Sequence, residues 1–455
     1  MVTKYDIFEF AYTNRHPLKP IEVTKKFKKN ESEYDNIHRM LKELVQEELL
    51  TKTNYGFQAK KSDKANLLYQ VIFHCLRNGI NYNNLLNPGI AKFLSRALQK
   101  RELNSRDANL HPITLKKYVN ILYKNGLLLI ISEKPLRVKV FYNVLLNNIL
   151  FYFGYKHNII TGDTINYLEE IEKELIKFRR LKRENEDRYQ QIIKDFEVSF
   201  VHHSLSLEGN PITINETKII LRDKLIPANL KSKDIDEVNS YQRALLQMLK
   251  DSQDRKPLTL QTILNYHYLA MQHEPDIAGR IRNIEVHLSG NPHFKITKAE
   301  NIEKEFEELI KKYNDFIKKE KAELKEILAF AVYFHNEFQH IHPFEDGNSR
   351  TTRLITFHLL QSKDIPILDI PYGLLDEYLS YTKGLRIIKS LRLPHLKRCG
   401  LFGTLGCSKF NSILKDGVFS KNFDIREDKK LFSNLQKIIL FNLKKINAML
   451  NLPAG

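Results

Sequence analysis

Apolar side chains recur at three- and four-residue spacing along most of the chain, which predicts a mainly helical protein. Tyr5, Phe8 and Tyr12 mark a first helix, Pro20 to Phe27 a short second, and Ile37, Met40, Leu41, Leu44 and Val45 a longer third. Leu49–Thr53 and Tyr55–Phe57 then read as a hairpin around Asn54. A comparable order recurs downstream. Leu67, Val71, Ile72 and Cys75 mark one helix, Ile90, Phe93, Leu94 and Ala97 another, and Ile113 to Lys124 a third closed by Gly126. Leu127 to Ile131 follows, and Leu136–Val140 alternates apolar and basic residues as a half-exposed strand does. Residues 164–200 contain neither Pro nor Gly and predict one long charged helix. Two apolar stripes, Leu324 to Phe338 and Leu354 to Leu359, enclose a polar loop, and Leu431 to Leu450 form a final amphipathic helix.

At 455 residues the chain has room for about three domains of roughly 150 residues each. With 26 Phe and 21 Tyr it has ample apolar area for cores, which argues against disorder. The formal charge of +18 is unevenly placed. Residues 51–150 carry 16 basic against 4 acidic side chains, residues 151–350 carry 30 against 33, and residues 351–455 carry 17 against 8. Three cysteines, Cys75, Cys399 and Cys407, make no disulfide framework or zinc-ribbon spacing. The first ten residues hold Lys4, Asp6 and Glu9 and no apolar stretch of a secretory signal, and Val144 to Phe153 is too short to span a bilayer. A reduced, cytoplasmic protein without a membrane segment is expected.

Residues 1–62 and 63–145 each resemble a winged-helix module of α+β type. In the first, Glu33, Asp35 and Glu43 on the third helix repel phosphate, which favours a structural or protein-contact role. In the second, Lys116, Lys117, Arg137 and Lys139 leave DNA binding through residues 63–145 and a merely solvated basic face as competing readings. Residues 160–200 read as a connecting helix, and residues 391–455 as a basic extension of unreadable function.

The polar loop runs His342-Pro343-Phe344-Glu345-Asp346-Gly347-Asn348-Ser349-Arg350-Thr351-Thr352-Arg353. Gly347 lets the backbone expose successive N–H groups, and the start of the next helix adds partial positive charge. Arg350 and Arg353 lie three apart and can reach one polyphosphate. Asp346 is a hard oxygen ligand suited to Mg²⁺, and His342 has a side chain suited to general-base work near neutrality. Taken singly, His-Pro-Phe and Asp-Gly-Asn are ordinary turns. His335, His340 and His342 offer a metal-hydrolase alternative, with no further ligand in evident spacing.

This stretch resembles the Fic-domain signature, His-x-Phe-x-(Asp/Glu)-Gly-Asn-x-Arg-x-x-Arg, with Ser349 standing where the commonest form has Gly. The resemblance reaches upstream to Gly279-Arg280-Ile281-Arg282, and to Val286, Leu288 and Gly290 in a segment similar to the family's β-hairpin flap. It covers roughly residues 200–390. It implies a helical core that transfers AMP from ATP to a Ser, Thr or Tyr hydroxyl of a protein target, the chain itself included. By position, His342 is then the base, Asp346 the magnesium ligand and Phe344 the loop's anchor. Gly347, Asn348 and Ser349 line an anion hole, Arg350 and Arg353 hold the outer phosphates, and the flap aligns the target.

Ser204-Leu205-Ser206-Leu207-Glu208-Gly209 is similar to the family's inhibitory motif. Ser204 and Glu208 are expected on one helix face, stopped by Gly209. Glu208 paired with Arg353 denies that arginine to the γ-phosphate. His202 and His203 are expected only to flank this helix. Two rival readings stay open: a DNA-binding regulator whose Fic-like domain senses nucleotide, and a hydrolase that removes AMP from a modified target. Homo-oligomerisation is also left open.

Overall fold

Helix-forming stripes account for most of the backbone in the computed structural model, which describes residues 2–28, 33–155, 166–287, 296–383 and 428–452. The chain divides into two compact units. The first comprises 1–161, 213–218 and 371–376, and the second comprises 162–212, 219–370 and 377–455.

In the first unit, α1 (Lys4–Thr13), α2 (Pro20–Lys26) and α3 (Tyr34–Gln46) precede an antiparallel hairpin of β1 (Leu50–Thr53) and β2 (Gly56–Ala59). Thr3 caps α1 through the Asp6 amide, while the Asp6 carboxylate accepts from the Thr3 amide at 2.7 Å. The second set follows as α4 (Asp63–Arg77), α5 (Tyr82–Leu85), α6 (Pro88–Ala97), β3 (Leu103–Asn104), α7 (Ser105–Ala108) and α8 (Pro112–Lys124). It ends in β4 (Leu128–Glu133), β5 (Leu136–Val140) and α9 (Val144–Tyr152). The sheet order is β3-β5-β4, all antiparallel, with Leu128 opposite Val140 and a register shift between Ile130 and Ser132. The expected helices and strands are present, but α5, β3 and α7 stand between those of the second set in addition. The two sets share one apolar core, however, from Ile7 and Phe8 through Leu68 and Ile72 to Leu146 and Ile149. Asp6 also accepts from Tyr82 and Asn83 across the two.

The single helix expected over 164–200 is two: α10 (Leu168–Glu184) and α11 (Glu186–Ser206). Asn185 breaks it. Its side-chain amide donates to Leu181 O at 3.2 Å, taking the carbonyl its own N–H would use in a helix, and that N–H turns to Lys182 O. Both helices belong to the second unit rather than serving as a connector between units.

Helix α12 (Ile214–Lys218) lies in the first unit. The second unit resumes with α13 (Ser232–Gln253), α14 (Leu260–Ala270), α15 (Ile302–Lys318), α16 (Leu324–Ile341) and α17 (Asn348–Ser362). Helix α18 (Leu375–Lys383) follows, and α19 (Asp428–Leu450) ends the described chain. Helices α13, α14 and α16 pack around α17, whose apolar and polar side chains alike are buried. Helix α19 buries Leu435, Ile438, Ile439, Leu443 and Ile446 and packs on α10 and α16. Among the described residues no helix is long and apolar enough to cross a membrane. The hairpin expected of the flap, with Leu288 and Gly290, falls outside the described residues, as do Cys399, Cys407 and most of the basic extension.

Candidate functional site

Helix α16 ends at Ile341 because His342 adopts a left-handed conformation (φ 49°, ψ 59°), its N–H still bonded to Phe338 O. Five residues later Gly347, at φ 78°, starts α17. Only glycine fits there. A Cβ would stand 2.8 Å from Met271 Sδ and 2.9 Å from His267 Nε2. With Gly347 as cap, the N–H groups of Asn348, Ser349 and Arg350 have no acceptor within the helix and form an anion-seeking terminus. Ser349 sits inside this first turn in helical conformation, so its side chain costs the loop nothing.

The loop between them is tied down at every corner. Asn348 Oδ1 accepts from Phe344 N at 3.0 Å, and its Nδ2 donates to Phe344 O at 2.7 Å. The Asn348 side chain is therefore spent on shaping the loop, and what it offers an anion is its backbone N–H. Phe344 is fully buried and stacks on His267, ring centroids 3.7 Å apart. His267 Nδ1 accepts from Gly279 N at 2.9 Å, which places the proton on Nε2, donating to Asp346 O at 2.9 Å. Burial pushes the His267 pKa down to about 4, so this bridge is neutral.

Arg282 clamps the other side. Its backbone N–H donates to Pro343 O, Nε to His342 O at 2.7 Å, Nη1 to Ile284 O and Nη2 to Thr297 O at 2.5 Å. His342 is 5% exposed, and its Nδ1 donates to Gln339 O at 3.3 Å, which assigns the basic lone pair to Nε2. His335 bonds to Tyr378 instead, and among the described residues no three His, Cys, Asp or Glu side chains converge as a metal set.

The charged groups form one network. Arg350, 3% exposed, donates to Asp346 Oδ2 at 2.8 Å and to Glu237 Oε1 at 2.5 Å. Arg353, 2% exposed, donates through Nη2 to Glu208 Oε1 at 2.9 Å and to Ser204 O at 3.0 Å. The motif thus meets Arg353 as expected, with one difference. Helix α11 stops at Ser206, so Glu208 sits on the following turn, where Gly209 takes φ 99°. The Ser204 hydroxyl faces Tyr241 rather than Arg353.

Burial opposes the charge on both arginines, yet their carboxylates more than offset it and raise both pKa values. For Glu237 the balance falls the other way: burial raises its carboxyl against the pull of Arg350. Asp346 is exposed, and despite the upward push of desolvation, Arg350 and the Gly347 N–H hold its carboxyl below the ordinary range. One ionised, accessible carboxylate suits Mg²⁺, which takes one or two carboxylates and completes its shell with phosphates and water.

Glu237 and His267 carry no motif of their own and were invisible in the sequence. His203, expected only to flank the helix, lies within α11 and its Nδ1 is 2.9 Å from Asp369 Oδ1 in a buried pair. Asp369 is held in turn by Asn442 of α19, which accepts from its N–H and donates to its carbonyl. Val286 is half-buried in a segment without strand structure.

Residues 257–360 match the Fic/DOC family. A protein adenylyltransferase Fic from Nematostella vectensis is 28% identical over 192 residues, covering 42% of this chain and 43% of that protein. The Drosophila melanogaster protein of the same name is 23% identical over 228 residues, covering 49% and 45%. The chain thus spans less than half the length of these curated relatives. Among solved structures, a Fic domain containing signaling protein from Bacteroides thetaiotaomicron aligns with a TM-score of 0.42 at 23% identity, covering 48% of this chain and 81% of that one. Fic-1 from C. elegans aligns with a TM-score of 0.38 at 22% identity, covering 47% and 63%. The loop and both arginines fall within residues 257–360, the stretch that matches the Fic/DOC family.

Proposed function

We propose that the chain transfers AMP from ATP to a Ser, Thr or Tyr hydroxyl of a protein target. The observation that carries this is a single twelve-residue loop. It sets the basic nitrogen of His342 beside a helix N-terminus, an ionised Asp346 and two buried arginines. His342 Nε2 takes the hydroxyl proton, and the oxygen forms a bond to the α-phosphorus. The bond from that phosphorus to the bridging oxygen breaks, and pyrophosphate leaves with the electron pair. The N–H groups of Asn348, Ser349 and Arg350 face the phosphate charge, and Arg350 and Arg353 bind the outer phosphates. Asp346 would hold a magnesium ion here, which would supply further charge neutralisation at the phosphates. Arg282 and His267 exclude other loop geometries by fixing the His342 and Asp346 carbonyls.

Glu208 makes this an autoinhibited enzyme, because Arg353 cannot pair with it and with a γ-phosphate at full strength. Relatives named protein adenylyltransferase Fic support the same activity. The test is incorporation of α-³²P-labelled AMP into candidate targets and into the chain itself, by wild type, Glu208→Gly and His342→Ala. Equal labelling by wild type and the His342 variant removes the assignment. The position of Glu208 at the site favours a second reading, in which it orients water to remove AMP. Release of AMP from a modified target by wild type, lost in Glu208→Gly, supports that direction.

A further inference from the structure

The first unit holds a feature that AMP transfer does not use. Helix α8 buries Leu115, Val119 and Leu122 in the core and turns Ile113, Lys116, Lys117, Asn120 and Lys124 outward, all exposed. These outward residues lie on one face at three- and four-residue spacing. No acidic residue occurs anywhere in α8. Ile113 stands 74% exposed, a large apolar side chain at the helix's first turn.

The surrounding charge sharpens this. Of the four acidic side chains between residues 51 and 150, Glu102 is bonded to Arg137 at 2.7 Å and Asp107 to Lys100 at 2.5 Å. Arg137 is thereby neutralised, and Lys139 donates to Arg101 O. The basic strand residues singled out in the sequence are thus occupied, while the lysines of α8 project to solvent.

We infer that the exposed face of α8 docks into the major groove of duplex DNA. The face runs about 16 Å along the helix at roughly 1.5 Å per residue, and the B-form major groove admits a helix of this diameter. Lys116, Lys117 and Lys124 meet phosphates. Ile113 and Asn120 reach base edges, where an apolar group suits the thymine methyl and a carboxamide suits adenine. Duplex RNA is the poorer fit, because its major groove is too deep and narrow for a helix. A membrane surface is also a poor fit, because the apolar stripe of α8 is buried.

The test uses the full chain and a fluorescein-labelled 30-base-pair mixed-sequence DNA duplex, by fluorescence anisotropy across a salt series. Wild type is expected to bind with affinity that falls linearly on a log–log plot against salt. Lys116→Glu with Lys117→Glu is expected to weaken binding at least tenfold and to reduce the salt slope by about two. Lys304→Glu with Lys311→Glu, exposed on α15 and equal in charge change, is expected to leave affinity within twofold. Equal loss in both double variants overturns the inference, as does absence of salt-dependent binding. Preferential displacement of the label by duplex RNA or by polyglutamate overturns it in favour of an RNA or an acidic protein partner.

Discussion

Glu237 on α13 grips Arg350 on α17 at 2.5 Å, across 113 residues of sequence, with both side chains largely shut from water. The same carboxylate accepts from Asn210 at 2.7 Å, two residues past Glu208. One acid therefore connects the first arginine to the turn that restrains the second. Replacing it with Ala leaves the buried guanidinium with Asp346 as its remaining carboxylate partner among the described residues. Glu237→Ala is expected to cost about 3 kcal/mol of stability without nucleotide. Saturating ATP should recover part of that loss, since phosphates can take the vacated place. Urea unfolding with and without ATP measures both.

Loss of the Glu208 carboxylate acts on the other arginine. A charge-assisted bond of this kind is worth about 1.5–3 kcal/mol, so Glu208→Gly should raise AMP transfer about ten- to a hundredfold. The gain should come with tighter ATP binding in isothermal calorimetry. Faster transfer with unchanged ATP affinity would count against competition for Arg353.

Arg282 touches the carbonyl side of His342 and no phosphate position. Arg282→Lys keeps the charge but cannot make the three side-chain bonds to His342, Ile284 and Thr297 together. The expected result is a fall in kcat of at least about tenfold with ATP Kd changed little, because base placement suffers before phosphate binding does. An equal effect on both quantities would reduce Arg282 to general scaffolding.

Gly347→Ala tests the loop itself. The added methyl meets Met271 and His267 below 3 Å in a backbone region alanine disfavours. Transfer should fall about a hundredfold, with stability lowered by at least about 1 kcal/mol.

Acid should weaken the second unit before ordinary carboxylates titrate. Burial holds both His267 and His358 at about 4, below the ordinary 6.5. Between those values the unfolded chain binds protons that the folded chain refuses. Stability is therefore intact above pH 6.5 and falls as pH drops toward 4, by at most roughly 3 kcal/mol per histidine. Urea midpoints at pH 7 and pH 4.5 read the loss. His358→Phe should be less stable at pH 7, since Tyr313 loses its 2.6 Å partner, yet show a shallower decline with acid.

The parts of this site that are close in sequence were legible there. His342 to Arg353 fall within one turn and one helix start, so residue type and spacing alone suggest anion chemistry. The stripes of α16 and α17 are equally local. Glu237, His267 and the His203–Asp369 pair were not legible, because each acquires its role from a partner reached only through the tertiary fold. Asn185 escaped for a different reason. Its flanks are strong helix formers, and only the competition of its side-chain amide for Leu181 O ends the helix.

The clasp on Asp369 has a consequence for the order of assembly. Helix α11, which leads into the turn carrying Glu208, is secured by His203 to Asp369, and Asp369 by Asn442 near the end of the described chain. During synthesis the loop from His342 to Arg353 therefore emerges before the helix that completes the clasp, because chains are made from the N-terminus. For that interval the residues from His342 to Arg353 are already made while the fastening of α11 is not.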